Sequence, residues 1–134
     1  TVTLRIDTRP ELLVLYCGCT KIGAVCSLIN VNQRGDSLVH SFNLNKGKIV
    51  VIGEECYSFF KEVESKVDLE NSYLCFIRDS LINKLKEEND ITDLLSKMPE
   101  KNLPDTTEIT VNDPVAYIYT SGTTGGLPKA AVIT

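Results

Sequence analysis

Val115-Ala-Tyr-Ile-Tyr-Thr-Ser-Gly-Thr-Thr-Gly-Gly-Leu-Pro-Lys-Ala-Ala131 is the stretch that decides how this chain is read. Residues 115–119 are β-branched, aromatic or small, the composition of a strand. They run straight into a loop of glycines and hydroxyl residues carrying one lysine. Glycine lets backbone N–H groups turn toward an anion without a Cβ in the way. Ser and Thr hydroxyls add donors, and a lysine adds a point charge. A strand feeding such a loop is the signature of an α/β sheet that holds a phosphorylated ligand.

Upstream, strand-like and helix-like segments alternate. Thr1–Ile6 places Val2, Leu4 and Ile6 on one face of a strand. From Pro10, the residues Leu12, Leu15, Tyr16, Cys19 and Ile22 follow helical spacing, with Gly23 as the stop. Ala24–Ile29 is a short buried strand. Asp36 or Ser37 is expected to cap a helix carrying Leu38, Val39 and Phe42 and ending near Lys46-Gly47. Lys48–Ile52 is a strand. Cys56, Phe59, Phe60, Val63 and Val67 mark an amphipathic helix, and Tyr73–Ile77 the next strand. Within Ser80–Met98, two apolar clusters predict two short helices: Leu81, Ile82 and Leu85, then Ile91, Leu94, Leu95 and Met98. Pro99–Pro114 reads as a surface connection, and Val115–Tyr119 as the last strand. This order predicts an open, mainly parallel sheet with flanking helices. In such sheets ligands bind at the carboxyl ends of strands, which is where the loop at 120–129 begins.

Composition narrows the function classes. The 134 residues carry a net charge of −4 and show no basic stripe, which argues against nucleic acid as a partner. No apolar run approaches the roughly 18 residues that span a bilayer. A start at Thr1 and an end at Thr134, inside a motif, are expected of a piece of a longer protein. The five cysteines, Cys17, Cys19, Cys26, Cys56 and Cys75, are irregularly spaced in apolar surroundings and read as reduced core residues of a cytosol-facing domain. Cys17 and Cys19 diverge on a helix, and His40 is the only histidine, so no metal site is expected. His40 itself reads as a structural residue of its helix, without a partner. Arg34-Gly35-Asp36 reads as a loop entering a helix cap, not as a recognition tripeptide, and the charged run near 84–90 as a solvated face.

The loop is not that of the common NTPases, whose lysine is followed by a Mg²⁺-binding hydroxyl, because Pro128 precedes Lys129 and Ala130 follows it. Nor does it contain G-x-G-x-x-G. It resembles the ATP-binding signature of the adenylate-forming superfamily. Tyr117-Ile-Tyr-Thr-Ser-Gly-Thr-Thr-Gly125 and Leu127-Pro-Lys-Ala-Ala131 are most similar to the fatty acid transport protein branch, also called very long-chain acyl-CoA synthetases. Arg9-Pro-Glu-Leu-Leu-Val14, Lys21-Ile-Gly23, Leu28-Ile-Asn30 and Ser37-Leu-Val-His-Ser-Phe42 extend the likeness upstream. One departure stands in the loop. The family pattern has one residue between the last glycine and Pro-Lys, whereas this chain has Gly126 and Leu127. Either Gly125 or Gly126 is additional, where a shifted N–H donor would miss hydrogen-bond tolerance.

The resemblance implies that residues 1–134 are part of the large N-terminal domain of an adenylate-forming enzyme, ending in the phosphate loop 120–130. It implies an ATP-dependent long-chain or very long-chain fatty acid–CoA ligase with ATP, Mg²⁺, coenzyme A and a fatty acid, coupled to fatty acid uptake. Thr120, Ser121, Gly122, Thr123, Thr124, Gly125 and Gly126 would contact the phosphates, with Lys129 supplying charge. No catalytic residue is assigned within this stretch, and it is expected to be inactive alone. The alternatives are a ligase for another carboxylate, such as an aryl or bile acid, and a non-catalytic truncated relative. The resemblance also implies membrane association through segments outside this chain, with the catalytic domain facing the cytosol at the endoplasmic reticulum, plasma membrane or peroxisome.

Overall fold

The residues of the first strand, β1 (Val2–Arg5), alternate between two layers of the molecule. Val2, Leu4 and Ile6, just beyond the strand, join Leu12, Leu15, Tyr16 and Cys19 of helix α1 (Pro10–Lys21) in one apolar cluster. Thr3 and Arg5 are fully buried as well, so β1 has no solvent face. The computed structural model that gives this arrangement describes residues 1–104, 108–120 and 126–134.

The remaining elements are β2 (Cys26–Leu28), α2 (Gly35–Leu44), β3 (Ile49–Gly53), α3 (Tyr57–Lys61), β4 (Tyr73–Ile77), α4 (Thr92–Ser96), β5 (Ala116–Thr120) and β6 (Lys129–Ile133). Among the described residues they form one sheet of six strands in the order β4-β3-β1-β2-β5-β6. The first five strands of that order are parallel, and β6 runs antiparallel to β5. The expected α/β fold with a mainly parallel sheet is therefore the one observed.

The two faces carry separate cores. Val51, Cys75 and Ile77 point with Leu4 toward α1. Val50, Ile52, Phe76 and Tyr119 point to the opposite face, against Leu38 and Phe42 of α2 and Phe60 of α3. Phe42, Phe60 and Phe76 stack there edge to face at centroid distances of 5.5 and 6.3 Å. Such near-continuous burial on both faces is what a parallel strand covered by helices requires. Cys56 and Cys75, both buried, have thiols pushed up to about 11 by burial and stay protonated at neutral pH.

Helix α1 ends as the glycine predicts. Gly23 adopts φ 68°, its N–H bonds the Thr20 carbonyl, and the Ala24 N–H bonds the Cys19 carbonyl. These are the two bonds of a Schellman ending.

Four local expectations are corrected. Helix α2 starts at Gly35 after Arg34, with no side-chain cap from Asp36 or Ser37. The helix expected across 56–67 is one α turn, α3, flanked by 3₁₀ turns at Glu54–Cys56 and Glu64–Lys66. Asn43 of α2 donates to the Lys66 carbonyl and accepts from the Asp68 N–H, taking groups a continuing helix would need. Of the two helices expected in 80–98, only α4 forms. In place of the first, the Glu54 carboxylate accepts backbone N–H groups of Asp79, Lys84 and Leu85 at 2.5–2.8 Å. Leu81 is left 92% exposed. Finally, β5 is not the last strand: residues 129–133 return beside it as β6.

Candidate functional site

Because β1 to β5 are parallel, their carboxyl ends lie along one edge of the sheet, and Thr120 closes β5 on that edge. β1 is followed by α1 on one face and β2 by α2 on the other. Neighbouring strands whose connections diverge open a crevice at their carboxyl ends. Here it is a cavity of about 320 Å³, lined by Ile6, Asp7 and Thr8 after β1, Ile29 and Asn30 after β2, and Ile118 and Tyr119 of β5. A more open groove of about 540 Å³ shares Thr8, Leu12 and Leu28 with it and runs along α1 past Leu13 and Tyr16.

The glycine-rich segment is the connection of the β5–β6 hairpin. Its two limbs pair with Thr120 directly opposite Lys129, and the Thr120 hydroxyl lies 3.5 Å from the Lys129 carbonyl that accepts its proton. Of the residues read as phosphate contacts, Thr120, Gly126 and Lys129 are placed by the structure, all three exposed. Ser121, Gly122, Thr123, Thr124 and Gly125 lie outside the described residues. Among the described residues, Lys129 makes no salt bridge.

Helix α2 grips both limbs. On the outgoing limb, Tyr119 is buried, and its hydroxyl accepts from Asn45, just after α2, at 3.2 Å. The same hydroxyl lies 2.6 Å from the Ser27 hydroxyl of β2. Since it accepts from Asn45, its own proton is free for Ser27. On the return limb, His40 Nε2 lies 3.0 Å from the Pro128 carbonyl. A carbonyl only accepts, so Nε2 carries the proton. The expectation that His40 has no partner is corrected here: its partner is in the loop, 88 residues away. Its ring also lines a trough of about 520 Å³ between α2 and the hairpin, with Leu44, Leu127 and Lys129.

Gly126 does not need to be glycine for backbone reasons. It is not in the left-handed region, and among the described residues a Cβ built on it meets nothing within 4 Å. Gly126→Ala is therefore expected to change stability by less than about 0.5 kcal/mol, as an exposed substitution does. A thermal melt checks this.

Among the described residues, no three His, Cys, Asp or Glu side chains converge as metal ligands, and no helix is long and apolar enough to cross a membrane.

Comparison with known proteins gives a consistent picture. The sequence model of a family described as AMP-binding enzyme matches residues 1–134. Long-chain fatty acid transport protein 2 of Rattus norvegicus is 33% identical over 135 residues, covering 98% of this chain and 21% of that protein. The medium/long-chain-fatty-acid–CoA ligase FadD6 of Mycobacterium tuberculosis is 26% identical over 133 residues, covering 99% of this chain and 20% of that one. The chain thus spans about one fifth of the length of the curated relatives it matches. In fold, it superposes on a Mycobacterium tuberculosis fatty acyl-CoA synthetase with a TM-score of 0.77 at 20% identity, covering 99% of this chain and 24% of the other. A long-chain-fatty-acid–CoA ligase of Archaeoglobus fulgidus superposes with a TM-score of 0.74 at 20% identity, with the same coverage.

Proposed function

This chain belongs to the AMP-binding enzymes, and from that premise we propose that it is the phosphate-holding part of an ATP-dependent long-chain or very long-chain fatty acid–CoA ligase. The observation that carries the reading is the β5–β6 hairpin. It presents Thr120 and Lys129 side by side at the carboxyl edge of a parallel sheet, with Pro128-Lys129-Ala130-Ala131 as its return limb. The names of its relatives favour a fatty acid as the carboxylate.

The reaction has two steps. The fatty acid carboxylate attacks the α-phosphorus of ATP, an acyl-adenylate forms and pyrophosphate leaves. The thiol of coenzyme A then attacks the acyl carbon, loses its proton and displaces AMP, leaving the thioester. The role of this chain lies in the first step. Negative charge grows on the departing β,γ-phosphates, and donors fixed in advance stabilise it without reorganising. In this reading Thr120 and Lys129 supply a hydroxyl and a cation from the two limbs, and Ser121, Gly122, Thr123, Thr124, Gly125 and Gly126 supply further donors between them. Mg²⁺ would supply charge neutralisation to the nucleotide phosphates, and no ligand for it is assigned within residues 1–134. Fatty acid uptake follows from trapping the acid as its thioester, and attachment to a membrane falls to parts of the polypeptide outside this segment.

The test is an assay of the full-length protein with ATP, a long-chain fatty acid and coenzyme A. Release of AMP and pyrophosphate that depends on the fatty acid is expected, followed by acyl-CoA. Release of ADP, or turnover only with aryl or steroid carboxylates, would sink the assignment.

A further inference from the structure

We propose that His40 is a positioning residue for the nucleotide-phosphate loop, fixing through Pro128 the point from which Lys129 reaches the phosphates. The proposal rests on the reading of the hairpin as an ATP site.

Pro128 is buried at the base of the return limb, between exposed Leu127 and exposed Lys129. Among the described residues the β5–β6 ladder starts at Lys129, and the strand pairing gives the Pro128 carbonyl no partner there. The contact is half-buried, and the His40 imidazole donates to the Pro128 carbonyl at 3.0 Å. The geometric consequence is larger than one bond. The proline ring fixes φ at residue 128. A bond to its carbonyl fixes the orientation of the following peptide plane, and hence ψ. Both soft torsions before Lys129 are then set, and the lysine leaves the limb in one direction.

The helix that carries His40 is a rigid reference. Leu38, Ser41 and Phe42 of α2 are all 3% exposed or less. Asn45, at the C-terminal cap of the same helix, holds Tyr119 of the opposite limb. One helix thus sets both sides of the loop mouth, the outgoing limb through Asn45 and the return limb through His40. A point charge aimed at a transferring phosphate is sensitive to displacements of about 1 Å. His40 itself is placed to touch the loop, not the reacting atoms, so its effect must pass through Lys129.

The experiment compares ATP affinity, by equilibrium binding and as KM, in the full-length protein and its variants. His40→Ala is expected to weaken ATP binding about five- to tenfold, the worth of one hydrogen bond of about 1–1.4 kcal/mol, with KM for the fatty acid within about twofold. His40→Gln, whose amide can also donate to a carbonyl, is expected to recover most of the loss. In a Lys129→Ala background, His40→Ala is expected to add little, because the two changes remove one interaction. Equal losses for the alanine and glutamine variants, full additivity with Lys129→Ala, or a parallel rise in both KM values would each overturn the proposal. Should the alanine variant fail to accumulate, His40→Leu keeps the volume and carries the same comparison. If the wild type binds ATP but releases no pyrophosphate, the activity assignment fails while the affinities still decide the role of His40. A wild type that binds no ATP would overturn both.

Discussion

Arg5→Ala is expected to lower the unfolding free energy by about 3 kcal/mol, with a proportionate fall in the denaturant midpoint of the full-length protein. The side chain is wholly buried in the central strand. Its guanidinium donates to the Cys56 carbonyl at 3.1 Å and to the Val31 and Gln33 carbonyls at 3.2 and 3.0 Å. It thereby ties the β2–α2 loop to the turn before α3. Two effects oppose each other. Burial disfavours the charge, and it draws the Arg5 pKa below the ordinary arginine value. Removing the side chain relieves that penalty. It also takes a donor from three carbonyls, of which those of Val31 and Gln33 keep the Arg34 guanidinium, and opens a cavity the size of the buried side chain, the larger cost. The second effect wins because the side chain is wholly buried, and the space it leaves cannot close without moving both loops. Arg5→Lys is expected to recover less than half of the loss, since a single ammonium cannot span acceptors spread over two loops. A fall below about 1 kcal/mol for Arg5→Ala would show that the loops hold themselves.

Lys129→Ala is expected to slow fatty acid-dependent pyrophosphate release about 100-fold, the usual cost of removing one fixed donor to developing charge. The lysine opens β6 opposite Thr120, and among the described residues it has no carboxylate partner to compete with a phosphate. The loss should fall on kcat as well as on KM for ATP, because the charge it meets grows as pyrophosphate leaves. Lys129→Arg is expected to restore part of the rate, since charge survives while geometry does not. The fold should be indifferent, because the side chain is exposed. A change of less than about threefold would remove Lys129 from the transition state and leave the phosphates to the loop's N–H and hydroxyl donors.

What the sequence made legible was whatever depends on near neighbours. Alternation found β1, runs of apolar, β-branched or aromatic residues found the other parallel strands, and Gly23 marked the end of α1 because a Schellman ending is written in a few consecutive residues. Arg5 was visible only as a polar position of an alternating strand. Its burial follows from β1 lying between β3 and β2, which local pattern does not reveal. The helix expected around Leu81–Leu85 was lost to the Glu54 carboxylate, a competitor 25 residues or more away. Strand β6 was missed because Lys129-Ala-Ala-Val-Ile133 is mostly exposed and carries no clear alternation. His40 was read as solitary for the same reason: an 88-residue separation leaves no trace in local spacing. The loop motif itself needed no tertiary context, being a run of donors contiguous in the chain.

The seam between β2 and β5 has a consequence for how the molecule is assembled. Its polar clasp joins Ser27 to Tyr119, 92 residues later. During synthesis β1, β3 and β4 can pair while β2 still presents an open edge, the backbone groups of Cys26, Ser27 and Leu28 facing solvent. Closing so long a loop is slow, and an unpaired edge strand invites pairing with other chains meanwhile. The hairpin proposed to hold the nucleotide covers that edge. Docking of the hairpin therefore covers β2 and brings the proposed phosphate site to the sheet in one event.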